Sequence, residues 1–221
     1  LLVLGFVAQQ LLVTTWFAQQ NQVALSSEVE SRFASVEITE VEYTPPVVVT
    51  VDSAALGGDL EPLPPVPTSR PLLVESAALP EEAIAVIRIP SIERLEDGWV
   101  VVEGVRVSDL KNGAGHMPDT PLPGQPGNTV ISGHRTTYGA PFHELDILEP
   151  GDEIEVESAI GTNVYAVRDS LVVEPSALWV TEDLLGSWLT LTTCNPKFSS
   201  RQRLVVIAEL VSGPNYEAIY S

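Results

Sequence analysis

The chain has 221 residues, a formal net charge of −19 and a single cysteine. An acidic surface repels the phosphate backbone, which argues against nucleic acid as a partner. One cysteine rules out an intrachain disulfide, and with only three dispersed histidines it leaves no Cys/His zinc site.

The first 18 residues, LLVLGFVAQQLLVTTWFA, carry no charge, and the first charged residue is Glu28. Eighteen helical residues span about 27 Å, near the thickness of a bilayer core. This predicts a single-pass membrane anchor over 1–18, although Gln9 and Gln10 dilute it. The chain starts at Leu1, so further residues upstream are expected, and the flanking charges that set orientation are not seen. A cleaved signal peptide is the rival reading, but no small-x-small site follows Trp16.

Residues 19–82 hold eleven acids against Arg32 and Arg70, and eight of the 18 prolines crowd between Pro45 and Pro80. Mutual repulsion and proline predict an extended, acidic stalk. Residues 28–43 are an alternative place for a short helix. Val47–Val51 is β-prone but bordered by proline.

From Ala83 the texture changes to short β-branched runs bounded by Gly, Pro or Asp. Ile84–Ile89, Trp99–Val102, Thr129–Ser132, Glu153–Glu157, Val164–Val167, Leu171–Val173, Leu189–Thr192 and Leu204–Leu210 read as eight strands. Regular turns between them predict a mainly β unit, a closed or nearly closed eight-stranded barrel over 83–210. Single helical turns at Ser108–Lys111 and Phe142–Leu145 sit outside it, and 211–221 forms a C-terminal tail.

Cys194 follows an apolar strand and precedes Asn195-Pro196, so a thiol is presented at a strand end where proline forces a loop. A lone thiol in an exported protein is an oxidation liability, which favours a chemical reason for its presence. In isolation, a small buried hydrophobe is the favoured reading. His134 also sits just past an apolar strand, and a cysteine nucleophile needs an imidazole or another cation nearby. His116, in a glycine-rich turn, and His143, on a helical turn, read as solvated surface residues. Arg201 and Arg203 open the last strand and alternate onto one face. Either would supply the cationic donor that an acyl-transfer oxyanion needs. No Gly-rich phosphate loop and no Gly-x-Ser-x-Gly turn is present.

Thr190-Leu-Thr-Thr-Cys194 resembles the Thr-Leu-x-Thr-Cys signature of sortases. Arg203, nine residues on, matches the position of that family's arginine. Pro126-Gly-Asn-Thr-Val-Ile-Ser-Gly-His134-Arg-Thr-Thr-Tyr-Gly-Ala-Pro-Phe142 resembles the segment around its histidine. The run from Cys194 to Arg203 is similar to class E sortases of actinobacteria. The resemblance covers about residues 83–210 and implies a sortase-type barrel carrying a cysteine transpeptidase; no cofactor and no metal-ligand residues are expected, and the motifs leave metal dependence open. It implies Cys194 as nucleophile, His134 as acid/base and Arg203 at the oxyanion. It further implies an extracellular catalytic unit at the cell membrane. Its partners would be surface proteins bearing a C-terminal sorting signal and an amine of a peptidoglycan precursor or pilin. Leu-Ala-x-Thr-Gly is favoured over Leu-Pro-x-Thr-Gly. Substrate contacts are expected from Thr192, Thr193 and Tyr138, and from Trp179, Val180 and Leu184 in the segment 175–188. A non-catalytic scaffolding protein on the same fold is the alternative, which an intact Cys/His/Arg set opposes.

Overall fold

The computed structural model describes residues 2–46 and 67–221. The β-prone run Val47–Val51 and most of the proline run from Pro62 to Pro67 lie outside them.

Eight strands close into a barrel: β3 (Ala83–Arg88), β4 (Trp99–Glu103), β5 (Ala114–His116), β6 (Gly127–Ser132), β7 (Glu153–Ser158), β8 (Gly161–Val173), β9 (Ser187–Asn195) and β10 (Gln202–Ser212). Their order around the barrel is β10-β8-β7-β3-β4-β5-β6-β9. The β4–β5 and β6–β9 pairs are parallel and the others antiparallel. The expected number of strands is found, with a different membership. Val164–Val167 and Leu171–Val173 belong to one long strand, β8, because Arg168-Asp-Ser170 continues the ladder against β10 through a register shift. The strand missing from the sequence reading is β5. It has three residues, too few for alternation to register, and its existence depends on its partners β4 and β6.

Inward-facing Ile84, Ile87, Val101, Ile131, Ile154, Val156, Tyr165, Val167, Leu189, Leu191 and Val206 fill the barrel. Every residue of β4 is buried, which explains its unbroken Trp-Val-Val-Val run. One face of β4 meets this core, and the other lies under helix α1 (Leu2–Ser35), as in strands buried on both sides.

Helix α1 corrects the expected start of the stalk at residue 19. No proline or glycine occurs between Phe6 and Thr44. Ala18, Gln22, Leu25, Val29 and Arg32 recur at three- and four-residue spacing and make one docking face. Leu25 and Val29 pack on Ala83, Val100 and Val102. Arg32 is buried and pairs with Glu75 at 3.2 Å and Glu82 at 2.6 Å. Glu75 lies in a two-stranded ladder of β1 (Ile38–Tyr43) and β2 (Arg70–Glu75). Burial pushes the Glu75 carboxyl above its usual range against the pull of Arg32. Both ends of the acidic segment are thus folded onto the barrel. Among the described residues, no helix is long and apolar enough to cross a membrane.

The C-terminal residues are also docked. Helix α2 (Tyr216–Tyr220) buries Ala218 and Ile219, and Asn215 exchanges hydrogen bonds with Leu73 of β2.

Candidate active site

Side chains alternate across β9, although Thr190 is buried like its inward neighbours. Leu189 and Leu191 join the core and Thr193 is buried, so Thr190, Thr192 and Cys194 take the outer face. Thr193 donates to the Gly133 carbonyl at 2.7 Å. Thr192 pairs its hydroxyl with Ser132 at 2.8 Å, and the Gly133 amide donates to the Thr192 carbonyl at 3.0 Å. These bonds run from the parallel β6–β9 pair into the loop that carries His134, and bring two segments 60 residues apart to one end of the barrel.

Arg203 lies directly opposite Cys194 in the antiparallel β9–β10 ladder. Opposed residues of such a pair project to the same side. The guanidinium is partly buried and donates to the Ser200 and Gln202 carbonyls, both at 3.0 Å. Arg201 lies before β10 begins and is exposed. The expectation that 201 and 203 share a strand face therefore does not hold, because the strand starts one residue after Arg201.

Cys194 and His134 line one cavity of about 360 Å³, with Arg135, Thr136, Thr137, Phe198, Ser199 and Ser200. Burial pushes the His134 imidazole below its usual pKa. Its Nε2 is sealed from solvent and has no hydrogen-bond partner. The Tyr138 ring faces it at 5.1 Å between centroids. The histidine loop folds back on itself. Phe142 donates its amide to the His134 carbonyl at 3.2 Å, and its ring packs so closely on Gly133 that a Cβ there would stand 2.6 Å from it.

Arg135 is a site residue to which the sequence reading gave no role. It is buried, donates to the Cys194 carbonyl and the Asn195 side chain, and pairs with Asp146 at 3.0 Å. Burial would raise the Asp146 carboxyl, but its own backbone amide and the Arg135 and Lys197 cations outweigh that and hold it below the usual range. Arg135 thus ties down the chain just after the thiol, at the Cys194 carbonyl and the Asn195 side chain. The only sequence signal for it was a cation adjacent to the histidine.

The other candidates separate by burial. Trp179 and Leu184 are 52% and 41% exposed, whereas Val180 is 8% exposed. The Val180 carbonyl accepts from Asn128 at 3.1 Å, near the opposite end of β6 from His134. Thr193 and Val180 are thus packed inward, where the sequence reading expected substrate-facing side chains. None of Trp179, Val180 or Leu184 lines the Cys194 cavity.

His116 and His143 also depart from expectation. Neither is a solvated surface residue. His143 is half-buried with Nδ1 2.6 Å from the Arg135 carbonyl. His116 is 2% exposed, with Nδ1 2.7 Å from Glu103 and Nε2 3.1 Å from both the Pro121 carbonyl and the Thr120 hydroxyl. Among the described residues, no group of three or more His, Cys, Asp or Glu side chains is placed to hold a metal ion.

The sortase domain family matches residues 87–211, more than half of the chain. The chain belongs to the sortase family. It is 32% identical over 146 residues to sortase SrtE1 of Streptomyces coelicolor, covering 60% of this chain and 41% of that protein. It is 31% identical over 147 residues to SrtE2 of the same organism, covering 58% and 56%. The chain therefore spans about half the length of the curated relatives it matches. Among solved structures, sortase E of Streptomyces avermitilis shares 34% identity at a TM-score of 0.55, covering 61% of this chain and 91% of that one. Sortase E1 of Streptomyces coelicolor with a tripeptide in its active site shares 31% at 0.56, covering 64% and 96%. The class E matches agree with the resemblance of the Cys194–Arg203 run.

Proposed function

We propose that this sortase is a cysteine transpeptidase acting on a C-terminal sorting signal, with Cys194, His134 and Arg203 as its catalytic residues. The observation that carries this is their convergence. Cys194 and His134 line one cavity, and Arg203 stands across the ladder from the thiol.

In the first step the Cys194 sulfur attacks the threonine carbonyl carbon and His134 takes the thiol proton. A lowered imidazole pKa keeps His134 neutral at pH 7 and ready to accept it. Arg203 faces the oxyanion, a role suited to a fixed, permanently charged donor. The C–N bond then breaks, and the proton on His134 leaves with the glycine amine. An acceptor amine attacks the thioester, returns a proton to His134 and releases the Cys194 sulfur. The half-buried outer face at Thr192 and Ser132 lies beside the end of the strand that carries the thiol. It suits an extended signal peptide, with Thr192, Tyr138, Trp179 and Leu184 as contacts. The acceptor would be a peptidoglycan precursor or pilin amine. Residues 1–18 would carry the membrane anchor, with the catalytic unit outside the cell.

The test is to incubate the full chain with Leu-Ala-x-Thr-Gly and Leu-Pro-x-Thr-Gly peptides and an amine acceptor. Mass spectrometry should find a thioester on Cys194 and an amide product. Neither species with either peptide would leave the scaffolding alternative standing.

A further inference from the structure

The histidine loop holds an unusual backbone. Tyr138, Gly139 and Ala140 have φ of 51°, 76° and 47°, three consecutive residues in the left-handed region. Only surrounding structure keeps an aromatic and an alanine there. Several contacts hold this turn, and one of them comes from the N-terminal helix. Arg94 donates to the Gly139 carbonyl at 2.7 Å, and the Ala140 amide to the Thr137 carbonyl at 2.9 Å. The outer wall is Trp99 and, from α1, the fully buried Ala18. A Cβ on Gly139 would lie 2.5 Å from the Trp99 ring and 3.2 Å from the Ala18 methyl.

Helix α1 also holds the segment next to Lys111, which contacts the Tyr138 ring. Asn21 donates to the Asn112 side chain and Gln22 to the Asn112 carbonyl, both at 3.0 Å. Gln22 further accepts from the Val100 amide at 2.7 Å. The neighbouring Lys111 holds its ammonium 5.9 Å from the centre of the Tyr138 ring. One turn of α1 therefore fixes both the backbone beside Tyr138 and the segment that sets a cation over its ring.

We propose that α1 is a positioning element for the reaction: docked through Ala18, Asn21 and Gln22, it holds Tyr138 against the His134 imidazole. This rests on the reading of His134 as the catalytic acid/base. Physically, the Tyr138 ring excludes water from one face of the imidazole. Freeing the loop admits water and tilts the ring, so the proton acceptor is misplaced and rehydrated. Misplacement of a reacting group by an ångström costs about 100-fold. The coupling gives this sortase a means of making catalysis depend on how its N-terminal helix is seated.

The test uses point variants of the full chain. Ala18→Leu overfills the contact with Gly139, and Gln22→Ala removes the Asn112 and Val100 bonds without added bulk. Ala18→Ser is the conservative control, and Val23→Leu is the control on the exposed side of the same helix. Ala18→Leu should lower kcat by about tenfold to 100-fold with KM little changed, and Gln22→Ala should do so more weakly. Both controls should match the parent. Combined with Tyr138→Ala, the Ala18→Leu loss should vanish into the Tyr138→Ala loss. Losses that multiply overturn the proposal.

A second readout is the titration of His134 followed by NMR without substrate, which stands even if no sorting peptide is turned over. Burial holds the imidazole down, so rehydration in Ala18→Leu and Gln22→Ala should move its pKa up. The charged and titratable groups beside it are Cys194 from β9, Arg135 and Tyr138 in its own loop, and Lys111 across the Tyr138 ring; these single variants leave all four in the chain. An unmoved titration in both variants overturns the proposal.

Discussion

His134 and His116 flank the same strand, β6, and have opposite environments. His134 opens onto the Cys194 cavity and has an Nε2 with no partner. His116 borders a larger cavity, about 540 Å³, but both its ring nitrogens are engaged. Nδ1 meets the Glu103 carboxylate, and Nε2 meets the Pro121 carbonyl and the Thr120 hydroxyl. An imidazole whose bonds are all taken holds strands together, whereas one left short of a partner is free to move a proton. Burial alone does not separate the two roles.

The strongest way to break this contrast is at the sulfur. Cys194→Ala should remove both cleavage and transfer while circular dichroism stays unchanged. An amide product from that variant would remove Cys194 as nucleophile. Arg203→Ala should fall about 100- to 1,000-fold in transfer rate at saturating acceptor. Arg203→Lys should recover little, and Arg201→Ala, outside the ladder, should stay within a few-fold.

The histidines themselves sharpen the comparison. His134→Ala should lose about 100- to 10,000-fold in transfer rate. His116→Ala should instead lose stability, about 1–3 kcal/mol from the unpaired Glu103 and Pro121 partners, with kcat retained. A denaturant titration beside the peptide assay reads both. Equal catalytic losses would mean that the contrast does not assign function.

The smallest effect is in pH. The folded His134 pKa lies below its ordinary value, so the unfolded chain takes up this proton first. The contribution of His134 is full above about pH 6.5 and is lost as pH falls from there through the folded pKa. Relative to His134→Gln, the parent should therefore lose stability over that window. Parallel stability curves for the two proteins would show that burial does not set this titration.

Several features were legible in the chain because they are local. The strand end at Ser132 follows from a β-branched run that stops at Gly-His, and the run Leu189–Thr192 marks β9 but stops three residues short of its end at Asn195. The motifs around Cys194, His134 and Arg203 resemble those of sortases, and the fold brings Cys194 and His134 to one cavity and Arg203 opposite Cys194 in the ladder. Seven of the eight barrel strands were marked by their own alternation or apolar runs, and the two runs of β8 needed only a ladder to join them.

What the tertiary structure alone decided was non-local. The three residues of β5 are a strand only because β4 and β6 pair with them, and this turned His116 from an apparent surface residue into a buried link. Arg135 looked like any cation until folding brought the Cys194 carbonyl and Asp146 to it. The glutamines and small residues of α1 are weak signals along the chain. They make a docking face only once a helix sets them on one side and β3, β4 and the histidine loop supply the surface. Local sequence carries conformational preference, whereas a partner 80 or 100 residues away is chosen by the packing of the whole barrel.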